Sequence, residues 1–179
     1  MNKGWFLPAF FLLKSTGMRK ISNPFAEMAG KGEYNCFGCS PANDIGLHLE
    51  FWEDDDEVVA QWTPRHQFEG WIDVLHGGIQ ATLLDEVAAW VVFVKLKTAG
   101  VTTNLNVSYN KPVYISKGPV TVKGQLVSTE KRTAMLECTL YDGNNEPCAS
   151  ANVTYFIFPE KIARAKYNYP GAEAFNTGE

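Results

Sequence analysis

In "HGGIQATLLDE", His76 to Glu86, a His-Gly-Gly turn opens the most hydrophobic run of the chain, and two acids follow inside it. An ionised carboxylate buried without partners costs several kcal/mol, about what a deliberate role would justify. Asp85 and Glu86 are adjacent, so on a helix they point about 100° apart and at least one faces the interior. In an apolar setting Asp85 gains basicity for attack or proton transfer. The competing role is structural, with both acids satisfied by neighbouring hydroxyls or a subunit interface, and it suits Glu86 better than Asp85.

His76, Gly77 and Gly78 supply complementary chemistry. The first N–H groups of a helix are unpaired and carry the positive end of its dipole. Glycines let a substrate oxygen come close to those donors, which suits a carbonyl gaining negative charge. Nine residues of helix advance about 13.5 Å and turn about 900°, so Asp85 lies roughly opposite His76. One helix cannot bring both to one carbonyl. If they cooperate, the glycine turn of one subunit faces Asp85 of another.

These groups must be held by the surrounding elements. Of the 16 residues Ile79 to Val94, 12 are apolar and they occupy every side of a helical wheel, which predicts a buried helix from Gly77 to about Lys97. It is too short and too acidic at its centre for a membrane span. Before it, "LHLEFWED" and "VVAQWTP" read as strands joined by the charged turn Asp54 to Glu57. After it, "VTTNLNVSY", "PVTVKGQLVS", "TAMLECTLYD" and "CASANVTYFIF" are four strands in meander spacing, the last following the turn "GNNEP". The expected fold is α+β, an antiparallel sheet wrapped around a long central helix, with a second subunit completing the burial.

Composition narrows the function. The 179 residues suit one domain, and a net charge of -4 without any Lys/Arg run longer than two excludes a nucleic-acid partner. Four cysteines are too few and scattered for a secreted disulfide framework, so a cytoplasmic protein is expected. Cys36 and Cys39 form a C-x-x-C, half of a zinc site, but no second such pair or His pair completes it, and no metal is expected. The apolar stretch Trp5 to Leu13 imitates a signal peptide, yet Pro8 and Lys14 interrupt it and no cleavage site follows. Residues 1–20 are taken as an extension outside the fold, 21–160 as the domain, and 161–179 as a tail that frays.

With "HGGIQATLLDE", "FEGWIDVLHGG", "GVTTNLNVSYNKPV" and "EPCASANVTYFIF", the chain resembles the hotdog-fold thioesterases, in particular the phenylacetate-degradation-like branch, over roughly Asn35 to Phe158. The resemblance implies hydrolysis of an acyl-CoA thioester to free acid and coenzyme A, with no cofactor beyond the coenzyme A of the substrate. Asp85 falls on the catalytic carboxylate, as base or nucleophile. Gly77 falls on the donor that polarises the carbonyl, with His76 beside it, and Thr102 falls where a hydroxyl holds the attacking water. Gly78 and Glu86 are grouped with the substrate contacts. Many relatives carry Asn or Gln six residues before the histidine; here Gly70 stands there, and Gln67 or Glu69 replaces it if the loop shifts. Lys111 and the Lys131-Arg132 turn are candidate phosphate contacts for coenzyme A. Trp71, Trp90, Phe93 and Tyr109 are candidates for an acyl pocket. The resemblance implies a homodimer or a dimer of dimers, active sites at the interface. Two other readings stand beside it: a non-catalytic acyl-CoA-binding hotdog protein, and a hotdog hydratase or dehydratase, since "HQFEG" is similar to the histidine loop of those enzymes.

Overall fold

The computed structural model describes residues 17–176. In chain order the elements are β1 (Arg19–Lys20), α1 (Ala26–Gly30), β2 (Glu50–Asp54), β3 (Glu57–Trp62), β4 (Glu69–Trp71), β5 (Val74–Leu75), α2 (Gly77–Lys95), β6 (Gly100–Tyr109), β7 (Val120–Glu130), β8 (Thr133–Tyr141), β9 (Pro147–Ile157) and α3 (Glu160–Tyr167). Seven strands form one sheet in the order β1-β2-β3-β7-β8-β9-β6, every neighbouring pair antiparallel. The small β4–β5 hairpin stands apart and leads directly into α2. This is the α+β arrangement expected, a sheet around one long helix.

Alternation builds the sheet. Along β8, Ala134, Leu136, Cys138 and Leu140 are buried while Thr133, Met135 and Glu137 face out, the two-residue period of a strand with one face on a core. Leu83, Leu84, Val87, Ala88, Trp90, Val91 and Val92 of α2 are buried, and the helix packs against β3, β6, β7, β8 and β9. By length and hydropathy α2 could cross a membrane, but its apolar side chains are spent on the interior of this fold.

What covers the side of α2 away from the sheet departs from expectation. The chain's own two ends lie there. Trp90, stacked on Phe51 of β2 at 4.0 Å, meets Phe175 of the C-terminal segment edge-on at 5.7 Å. Phe93 meets Phe25, Tyr169 and Phe175 at 5.6, 6.3 and 5.8 Å. A second subunit is therefore not needed to bury this part of the helix. The fraying expected after Pro159 is likewise corrected: α3 leads to a buried Tyr169 and to Phe175, which is 1% exposed. A few large aromatics, not the average polarity of the segment, decide its fate. Residues 19–20, assigned to the extension, pair with β2 through Arg19↔Glu53 and Lys20↔Trp52. The signal-like stretch Trp5 to Leu13 lies outside the described residues.

The bare part of the protein is β6. Among the described residues it ends the sheet and pairs with β9 alone, and most of its residues are exposed on both faces, including Val101 and Tyr109. A long edge strand without cover invites pairing with another copy.

Candidate active site

Asp85 projects from the middle of α2 toward β6 and β9. Thr102 Oγ1 of β6 donates to Asp85 Oδ1 at 2.8 Å. Tyr155 of β9 lies within 3.4 Å of both Asp85 Oδ1 and the Asp85 carbonyl oxygen. Thr102 and Tyr155 are opposite one another in the β6–β9 register, so a single pair of strands presents both hydroxyls to one carboxylate. Burial pushes the Tyr155 phenol far above its usual range, and the Asp85 charge adds to this, so it remains a donor. Tyr155 was not expected from the sequence; its β-alternation made it only one core aromatic among several.

Glu86 goes elsewhere. About 100° round the helix, its carboxyl meets the Cys36 thiol at 3.5 and 3.6 Å and accepts from Trp90 Nε1 at 3.3 Å. Burial, followed by the neighbouring Cys36 charge, raises it to about 8. Glu86, grouped from the sequence with the substrate contacts, is engaged by the 36–39 turn.

At the head of α2, His76 is the N-cap, and its Nδ1 accepts the Gly78 N–H at 2.9 Å. That removes Gly78 as a donor to substrate. The Gly77 N–H has no partner among the described residues, and the Gly77 carbonyl is held by Tyr109 Oη at 2.9 Å. Gly77 opens on a cavity of about 340 Å³, lined also by Leu75, Gln80, Tyr109, Lys111 and Pro112. Gln80 is buried, donates through Nε2 to the Leu75 carbonyl at 2.8 Å, and leaves Oε1 without a partner among the described residues. Gln80 went unnoticed in the sequence, although a polar residue one turn into an apolar helix is a visible signal.

The loop before the helix explains Gly70. A Cβ there would stand 3.0 Å from His76 Cα and 3.2 Å from its ring, so an Asn or Gln would displace the cap unless the backbone moved. Neither proposed replacement fills the place. Glu69 Oε1 is bound to His66 Nδ1 at 2.8 Å and the Asp73 N–H at 3.3 Å, while Gln67 is exposed on the turn His66–Phe68. Lys111 lines the cavity but pairs with Glu146 at 2.7 Å, and Arg132 is exposed at the β7–β8 hairpin. Of the pocket aromatics, Trp90 is fully buried and Phe93 belongs to the aromatic layer, so neither opens on this cavity, whereas Tyr109 does; Trp71 is 76% exposed on the β4–β5 hairpin.

The two halves thus sit eight residues apart on one helix, about 12 Å along its axis. Asp85 has its hydroxyls and Gly77 has its free donor, but not at one point of one chain.

Residues 73–149 match the thioesterase superfamily. A Saccharolobus solfataricus protein named as an esterase is 33% identical over 88 residues, 49% of this chain and 57% of that protein, so the chain spans little more than half the length of this relative. A Streptococcus pneumoniae hypothetical thioesterase, solved with coenzyme A, aligns over 59% of this chain and 84% of its own with TM-score 0.55 and 23% identity. The PaaI protein of the Escherichia coli phenylacetic acid degradation operon aligns over 64% and 82% with TM-score 0.57 and 17% identity. The sheet wrapped on α2 is the hotdog fold, and residues 73–149 are the part of the chain similar to the thioesterase superfamily.

Proposed function

We propose that the protein is an acyl-CoA thioesterase whose site is shared between two copies of the chain. The observation that carries the reading is the 2.8 Å hydrogen bond from Thr102 to Asp85, which fixes one carboxylate oxygen and leaves the other for a water. Asp85 takes a proton from that water as its oxygen adds to the thioester carbonyl carbon. The partner's Gly77 N–H, free and at the positive end of α2, stabilises the oxyanion. The tetrahedral intermediate collapses by breaking the C–S bond, and the coenzyme A thiolate leaves and takes up a proton. The bare β6 edge supports pairing of two copies, and the 12 Å within one chain requires it if both groups act on one carbonyl. The cavity beside Gly77, with Lys111 at its rim, fits the pantetheine arm and its phosphates.

Gly70 favours a second reading, a non-catalytic acyl-CoA-binding protein, because no side chain there can help polarise the carbonyl. Release of thiol from short, medium and aromatic acyl-CoAs separates the two. Wild type turns over at least one ester class, and Asp85→Asn loses about 10²–10⁴-fold in kcat while still being stabilised thermally by the ester. If neither protein releases thiol while both are stabilised, the binding reading replaces the catalytic one.

A further inference from the structure

The C-x-x-C turn meets α2 at Glu86, about 100° round the helix from Asp85, and nothing in the thioesterase reading uses it. The structure supplies a third ligand that the sequence conceals: Glu86, 50 residues away from Cys36. We propose that Cys36, Cys39 and Glu86 bind a thiophilic divalent cation of the zinc class.

One ligand atom from each residue lies within 4.8 Å of the other two. The Cys36 Sγ to Glu86 oxygen distances are 3.5 and 3.6 Å. Zinc bonds of about 2.3 Å to sulfur and 2.0–2.2 Å to oxygen, at a tetrahedral angle, span an S···O edge of roughly 3.5 Å, so the pair already stands at ligand spacing. The ligands are also oriented as ligands usually are. Trp90 Nε1 donates to Glu86 Oε1 at 3.3 Å, and the Gly38 N–H points at Cys36 Sγ at 3.3 Å. The turn can lie this close because residue 38 is glycine: a Cβ there would be 2.4 Å from Glu86 Cδ. A water completes four-fold coordination, and the Tyr34 phenol, 3.2 Å from Cys39 Sγ, is placed to donate to that ligand.

Without a cation, the cluster is three acids facing one another. Their partners are each other, a phenol and N–H groups. A dication accepts two thiolates and a carboxylate, releasing their protons to solvent. The bound ion would tie the N-terminal segment to α2 one residue from Asp85, fixing the rotation of the helix that aims the catalytic carboxylate.

Reduced, chelator-stripped full-length protein titrated with Co²⁺ tests this independently of any hydrolytic activity. One equivalent of Co²⁺ per chain is expected, with a thiolate-to-cobalt charge-transfer band, tetrahedral visible bands and displacement by Zn²⁺. Cys36→Ser with Cys39→Ser abolishes the charge-transfer band. Glu86→Gln, which keeps both thiols and the helix, weakens binding at least tenfold, taking the lower end of the loss typical for metal-site changes. If the serine variant does not fold by circular dichroism, the wild-type spectrum and Glu86→Gln decide. The proposal is overturned if the wild type, with its four thiols titrating free, gives no charge-transfer band at saturating Co²⁺, or if Glu86→Gln binds as tightly as wild type. It is also overturned if Cys36 and Cys39 are recovered as a disulfide and reduction restores no metal uptake, which makes the turn a redox pair.

Discussion

Thr102→Val tests the site at its best-defined contact. Valine keeps the β-branched shape that β6 accommodates and removes only the hydroxyl. The hydrogen bond lost is 2.8 Å long and ends on a carboxylate, and such bonds contribute about 1.5–3 kcal/mol. Tyr155 at 3.4 Å holds the same oxygen more loosely and offsets part of the loss. If Thr102 acts by aiming Asp85, this energy appears in the barrier, and kcat falls roughly 10–100-fold with KM little changed. Thr102 is exposed in the single chain, so Tm shifts little. Steady-state thiol release for wild type, Thr102→Val, Asp85→Asn and the double variant completes a cycle. A residue that works through Asp85 adds nothing once Asp85 is Asn, so the double variant should match Asp85→Asn alone. The reasoning fails if Thr102→Val retains more than a third of wild-type kcat, or if the two losses multiply in the double variant.

Two predictions concern stability. Phe175→Ala removes a ring that is 1% exposed and contacts Phe25, Trp90, Phe93 and Tyr169; a loss of about 3–5 kcal/mol is expected in urea unfolding at fixed protein concentration, and under 1 kcal/mol would show that the C-terminal segment does not hold the core. Asp142 is buried, which raises its carboxyl, but Lys117 and the N–H groups of Asn144 and Glu146 outweigh this and hold it below the usual range. Because the folded value is depressed, its contribution is present above the free aspartate pKa of about 3.9 and is lost as pH falls through the folded value. Asp142→Ala should therefore lower Tm at pH 7, and the gap to wild type should narrow in melts below about pH 4; a gap that widens in acid would refute the sign.

Much of this molecule was legible residue by residue. The six main strands and the core helix follow from two periodicities, which are local properties of the chain. Asp85 stood out because an acid inside an apolar helix needs a reason, and Gly77 because helix N-termini leave donors free. What was not legible shares one character. Glu86 was grouped with the substrate because its direction around α2 depends on what covers that face, and Cys36 is 50 positions away. Tyr155 could not be singled out because its meeting with Asp85 depends on the β6–β9 register. The fraying tail was inferred from average polarity, whereas Tyr169 and Phe175 find an aromatic surface made by residues 25, 90 and 93.

The sequence by itself determined the alternation of the strands, the burial of the helix, the free donor at its head and the acid at its centre, because each depends on neighbours within a few residues. The tertiary structure decided which hydroxyls meet Asp85, which way Glu86 turns, that Gly70 is pressed against His76 and that both chain ends close over α2. Those depend on strand register, helix rotation and packing between segments far apart in sequence, and no local pattern of residues encodes them in readable form.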